Sequence, residues 1–232
     1  MQSPFRGFPP ETLKFLRELK RNNNREWFLA HKAIYQEKVK QPMVDLVTAL
    51  GGAMQGFAPE LVTDPKRAIF RIYRDTRFSP DKTPYKTHIA AHFTPSGIGK
   101  NIGAGLYFHV DTEEVLVGGG FYMPPSAELR LIRNYVASHA VELGKILRNP
   151  KFKKLYGGLQ GEQLTRAPKG FSPDHPALDL LRYKQFVAWF ERPAAFAETP
   201  DLFLLVLEGF VSLMPLIRYL NAALRVEIRL PD

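Results

Sequence analysis

Cysteine is absent from the 232-residue chain. That absence excludes disulfides, thiolate metal centres and cysteine nucleophiles together. The local signatures of several enzyme classes are missing too. No GxSxG elbow, HExxH pair or GxxxxGK[ST] phosphate loop occurs, so any chemistry would rest on carboxylates, imidazoles or a metal. Long apolar runs are scarce. The most apolar stretch, Leu202 to Ile217, is shorter than the ~20 residues of a membrane span and carries Glu208 and Pro215 inside it. It reads as a buried core helix, and no membrane partner is expected. The opening, MQSPFRGFPPETLKFL, lacks a basic region followed by an apolar one, so no secretory signal is read there. A cytoplasmic location fits these absences.

Acid is in short supply. There are 32 Lys and Arg against 23 Asp and Glu, a net charge of +9, which favours anionic partners. Hydrophobic residues at 45% and charged residues at 24% suit a soluble globular protein able to bury a core without staples. With no repeat, low-complexity tract or linker, the expectation is one domain over 1–232, with its core over about 8–224.

The periodicity changes along the chain. Leu13, Leu16 and Leu19 share one helical face after Pro9-Pro10-Glu11. Asn23 followed by Glu26 has the spacing of a capping box for the next helix, which places Trp27, His31 and Tyr35 on one side as core packing. Pro42 marks a kink or a new start. Alternation then predicts strands over Ala68–Arg74 and Thr87–Thr94, and a hairpin from Leu106–Asp111 and Val115–Tyr122. Helices are expected over Ser126–Leu147, Pro176–Leu181 and Asp201–Leu224, with a further strand over Gln185–Glu191. The fold class is therefore α+β: a mostly antiparallel sheet of about four to five strands packed against several helices.

The strongest local signal is KRAIFRIYRDTRFSPDKTPYKTH, residues 66 to 88. Lys66, Arg67, Arg71, Arg74, Arg77, Lys82 and Lys86 outnumber Asp75 and Asp81, and Phe70, Tyr73, Phe78 and Tyr85 are interleaved. Arginine forks and lysine point charges suit phosphate or carboxylate. The alternative is that the two aspartates pair with these arginines and pin the loop to the sheet. On the functional reading, Arg71, Tyr73, Arg74, Arg77, Lys82, Tyr85 and Lys86 bind a phosphorylated or other anionic small molecule. Lys169, in the Pro- and Gly-framed loop from Arg166 to Phe171, would join them from a second wall. Asp75, His88 and His109 are the acid/base candidates.

RIYRDTRFSPDKTPYKTH, with NNREWFLAHKAIYQEKVKQPM upstream and VGGGFYMPPSAELRLIRNYV and APKGFSPDHPALDLLRYKQF downstream, resembles the family called domain of unknown function 2461. The resemblance runs from about Phe8 to Leu224. It implies a single mixed α/β domain and brings no activity, cofactor or catalytic residue with it.

Three further features bear on function. His88 and His92 are too far apart along a strand to share an ion, but either would meet His109 if the neighbouring strands registered suitably, giving a His/His/Asp cluster. Lone histidines on sheets are more often structural, so no metal is assigned. Gly118-Gly119-Gly120 permits close backbone approach to a ligand or a strand bulge, and the bulge is the favoured reading. Basic residues among aromatics also suit a nucleic-acid module, although no helix-turn-helix, zinc-finger or RNP pattern occurs. A protein-interaction role for the same basic surface stands beside it. Cofactor, oligomeric state and reaction are not specified by the residues.

Overall fold

The computed structural model describes residues 4–96 and 103–224. Helix α1 (Pro10–Arg21) buries Leu13, Phe15, Leu16 and Leu19, the face anticipated from their spacing. The next helical run comprises α2 (Arg25–Ala30), α3 (Lys32–Ile34), a π-helical stretch Tyr35–Lys40, and α4 (Gln41–Met54). Pro42 explains the π turn. It cannot donate to the Lys38 carbonyl and its ring crowds that carbonyl, so the helix widens before it. The freed Lys38 oxygen accepts a hydrogen bond from the buried Thr12 hydroxyl of α1. The capping-box expectation shifts by one residue: Asn24, not Asn23, caps α2 by accepting from the Trp27 amide.

Four antiparallel strands form one sheet in chain order: β1 (Ile89–Phe93), β2 (Gly105–Val110), β3 (Glu114–Phe121) and β4 (Phe186–Pro193). Helices α6 (Ser126–Arg148), α7 (Pro150–Tyr156) and α8 (Leu178–Leu181) lie between β3 and β4 in sequence, and α9 (Leu202–Ala223) follows β4. The α+β antiparallel expectation holds, at four strands. The predicted strand over Ala68–Arg74 does not form as one. Asp64 caps a short helix α5 (Pro65–Ala68), and the chain beyond makes only isolated bridges, Ile69 to Ala91 and Tyr73 to Tyr85.

Burial alternates down each strand, so one sheet face is core and the other is not. Leu106, Phe108 and Val110 of β2, and Val115 and Val117 of β3, turn toward α9. By length and composition α9 would suffice to cross a membrane, but Leu202, Val206, Phe210, Leu213 and Leu220 bury it in the centre of this core. Its approach to β3 is close: a Cβ on Gly119 would come within 3.3 Å of Leu213 and Ile217, and one on Gly209 within 2.8 Å of Val117. Near the end of α9, buried Asn221 accepts from the Ala104 amide (2.9 Å) and donates to its carbonyl (3.1 Å). Those two bonds fix the entry to β2.

Candidate functional site

The opposite sheet face opens as a cleft of about 900 Å³. The register builds it in rows across the strands. His92, Tyr107, Gly118 and Trp189 lie side by side on β1, β2, β3 and β4. One row toward the hairpin, Ala90, His109, Leu116 and Glu191 follow. One row the other way, Gly105 meets Gly120, which meets Val187. Gly105, Gly118 and Gly120 thus leave a trough in the floor, walled by Tyr107, Trp189 and Phe70, with exposed Tyr122 and Met123 at its rim.

The glycine run is not a bulge, because β3 pairs with both neighbours without a break in register. Its residues serve two faces instead. Gly119 admits α9, while a Cβ on Gly118 would meet the Trp189 Cβ at 2.7 Å and the Ala188 oxygen at 2.9 Å. Gly120 holds φ at +122°, where a side chain would be strained, and a Cβ there would lie 2.0 Å from the Phe186 oxygen. Substitution is closed to all three by packing.

Polar groups gather at the hairpin end. His88 and His109 meet, with ring centroids 5.5 Å apart. Of the two histidines open to that role, it is His88, while His92 lies parallel to Phe70 at 6.2 Å. His109 Nδ1 is 3.1 Å from the Tyr107 hydroxyl and its Nε2 is 3.5 Å from Glu114 Oε1. Burial lowers the His88 pKa to about 4, with His109 and Lys86 adding to the effect. Burial also lowers His109, so both rings are neutral at pH 7 and offer lone pairs. Tyr107 is raised to about 12 by burial and by Asp111, which keeps its hydroxyl protonated. Glu114 is raised by burial and then by Glu191 and Asp111. Trp189 Nε1 donates to Glu191 Oε1 at 3.1 Å, which orients the indole wall.

The basic segment is arranged differently. Arg74 pairs with Asp81 and also donates to the Thr83 hydroxyl. Arg77 makes a two-pronged contact with Asp75 at 3.0 and 2.8 Å. Lys82 donates to the Thr76 carbonyl at 2.9 Å. Hydrogen bonds from Arg77 hold Asp75 at about 2, and bonds from the Thr83 amide and Arg74 hold Asp81 at about 2. A carboxylate so pinned stays ionised at neutral pH and transfers no proton there. Tyr85 is buried, stacked on Phe28 at 4.1 Å, and its amide and carbonyl are clamped by Asn23. Tyr73 is half exposed above the same cluster, and Arg71 is exposed. Lys86 holds its ammonium 4.8 Å from the Phe70 ring centroid, at the cleft's β1 side.

Lys169 is exposed on a loop whose start and end bond to one another and to β4, Gln160 to Val187 and Leu164 to Arg182. The segment 66–88 instead bonds to β1, through Phe70 and Ala90. The two segments are thus anchored at opposite edges of the sheet. Trp189, Glu191 and Glu114 were absent from the sequence-derived site. For Trp189 and Glu191 the signal was their alternation with Phe186, Ala188 and Phe190, which on a half-buried strand marks the open face.

A family model described as conserved hypothetical protein (DUF2461) matches residues 11–219. No curated protein matches the chain.

Proposed function

The chain belongs to that family, and we propose that its role is to bind a small molecule with a flat, largely apolar body and a polar or anionic edge, in the trough over Gly105, Gly118 and Gly120. One observation carries the reading: Gly105, Gly118 and Gly120, none with room for a Cβ, line one cleft together with Tyr107, Trp189 and Phe70. Tyr107 and Trp189 stand on strands separated by β3, about 9.5 Å apart at two strand spacings. Aromatic rings pack at centroid distances of roughly 4.5–7 Å, so a third ring fits between them. Lys86 on one side and neutral His88 and His109 at one end supply the polar contacts. In this reading Lys86, beside Phe70 at the β1 side of the cleft, is the cation placed to meet the ligand's anionic edge.

The dye 1-anilinonaphthalene-8-sulfonate, flat and anionic, is a direct probe. With Trp27→Phe, Trp189 becomes the remaining indole of the two in the chain. Saturable binding of one dye per folded chain, quenching Trp189 and weakened at least tenfold by Tyr107→Ala, is expected. Binding that leaves Trp189 fluorescence unchanged, or none at all, overturns the proposal.

A second reading has one observation in its favour. Phe78 is 92% exposed at the tip of the basic loop, with the Arg77 guanidinium 5.7 Å from its ring centroid. An exposed ring beside cations suits stacking on a single-stranded nucleic-acid base. Binding of a labelled oligonucleotide that is unaffected by Phe78→Ala would remove it.

A further inference from the structure

We propose that His109, Asp111 and Glu114 form a binding site for one first-row divalent transition-metal ion at the hairpin end of the cleft. The site shares His109 with the polar end of the trough described above, but it stands on the geometry of the hairpin.

Asp111 follows the end of β2, two residues beyond His109, and its amide donates to the Glu114 carbonyl at 3.0 Å, which sets Glu114 opposite Asp111 across the hairpin. Ligand atoms from all three side chains lie within 4.8 Å of one another, and all three residues are partly shielded from solvent. Two carboxylates directly opposed across a hairpin repel, and Glu191 adds a further negative neighbour from β4. None of the ion pairs among the described residues joins Asp111, Glu114 or Glu191 to a lysine or arginine.

The imidazole is oriented for the task. His109 Nδ1 lies 3.1 Å from the Tyr107 hydroxyl and Nε2 3.5 Å from Glu114 Oε1; in the tautomer whose Nδ1–H donates to that hydroxyl, Nε2 is available to an ion shared with Glu114. A hydroxyl holding the far nitrogen of a ligating histidine is the usual outer-shell arrangement in metal sites. Asp111 spends Oδ1 on the amides of Glu113 and Glu114, at 2.7 and 2.8 Å, and this fixes the carboxylate while leaving Oδ2 for an ion. One imidazole nitrogen with carboxylate oxygens suits Mn²⁺, Fe²⁺ or Zn²⁺ over a thiophilic ion.

The test is calorimetric titration of Mn²⁺ and Zn²⁺ into tag-free protein dialysed against EDTA, with Mn²⁺ also followed by electron paramagnetic resonance. One ion per chain is expected, with affinity reduced at least tenfold in His109→Gln and Glu114→Gln. Asp111→Asn keeps the acceptor for the two turn amides, so it separates loss of a ligand from loss of the turn. Exposed Glu113→Gln, on the same hairpin, is the control and should bind as the parent does. Each variant's unfolding transition checks its fold. Stoichiometry under a tenth of an ion, or equal loss in Glu113→Gln, would overturn the site as diffuse attraction to acid. Retained affinity in Glu114→Gln and Asp111→Asn would overturn it as well.

Discussion

The basic segment 66–88 and the open face of the sheet are neighbours that share Phe70 and His88, yet they use polarity in opposite ways. In the segment, charge is dense and already engaged: Arg74 with Asp81, Arg77 with Asp75, Lys82 with a carbonyl. On the sheet face charge is sparse, but His88, His109 and Glu114 sit partly buried, and burial moves all three from their ordinary pKa values. Density of charge in a sequence marks where a loop is laced. Polar side chains at the exposed positions of a strand mark where a surface is left open. The second is the better pointer to a site, because such groups stay costly until a ligand engages them.

The sharpest way to test this contrast is to loosen each region in turn. Asn221→Ala strands the Ala104 amide and carbonyl at the entry to β2, both inside the core. At roughly 1–3 kcal/mol for a buried unsatisfied group, a loss of about 2–4 kcal/mol is expected in urea unfolding. Gly118→Val pushes into Trp189 and the Ala188 carbonyl. It should cost about 1–3 kcal/mol by overpacking and remove dye binding at a protein concentration where the fold persists. If Gly118→Val binds dye normally, the trough is not the site.

Acid titration separates the regions by pH. His88 stays neutral in the fold down to about 4, whereas an unfolded histidine takes up its proton near 6.5. Its contribution is therefore complete above pH 6.5 and declines as pH falls toward 4. Asp75 and Asp81, held at about 2 but open to water, contribute only weakly above their unfolded value of roughly 3.9 and lose that small contribution between there and pH 2. Stability measured against pH should show the first decline abolished by His88→Gln and the second unchanged by it. The smallest effect is expected from Arg77→Ala. The Asp75–Arg77 pair is exposed to water, and such pairs contribute little. Neither the melting midpoint nor dye binding should move resolvably. A large loss of dye binding in Arg77→Ala would return the site to the basic loop.

Much of the fold was legible because its signals are local. The hairpin of β2 and β3, the strand β4, and helices α6 and α9 lie within a residue or two of their expected bounds, since period and caps act over a few residues. The stretch 68–74 misled because alternation of Phe70 and Ile72 matches a strand, while Asp64 and Pro65 start a helical turn that consumes its beginning. The meeting of His88 and His109 was legible only as a condition on register, which long-range pairing decides. Trp189 and Glu191 come from beyond three intervening helices, so no local pattern linked them to Tyr107. The glycine run was misread because a bulge and a two-sided close approach look identical in letters.

The central claim is that the glycine-floored face of the sheet, rather than the cation-rich loop beside it, receives the ligand. Crystals of the protein soaked with a panel of bicyclic aromatic carboxylic acids test this most directly. The account predicts electron density over Gly118 and Gly120, between Tyr107 and Trp189, with the carboxylate turned toward Lys86 or His88. Density found only against Arg71, Arg74 or Arg77, with the trough empty, would contradict it.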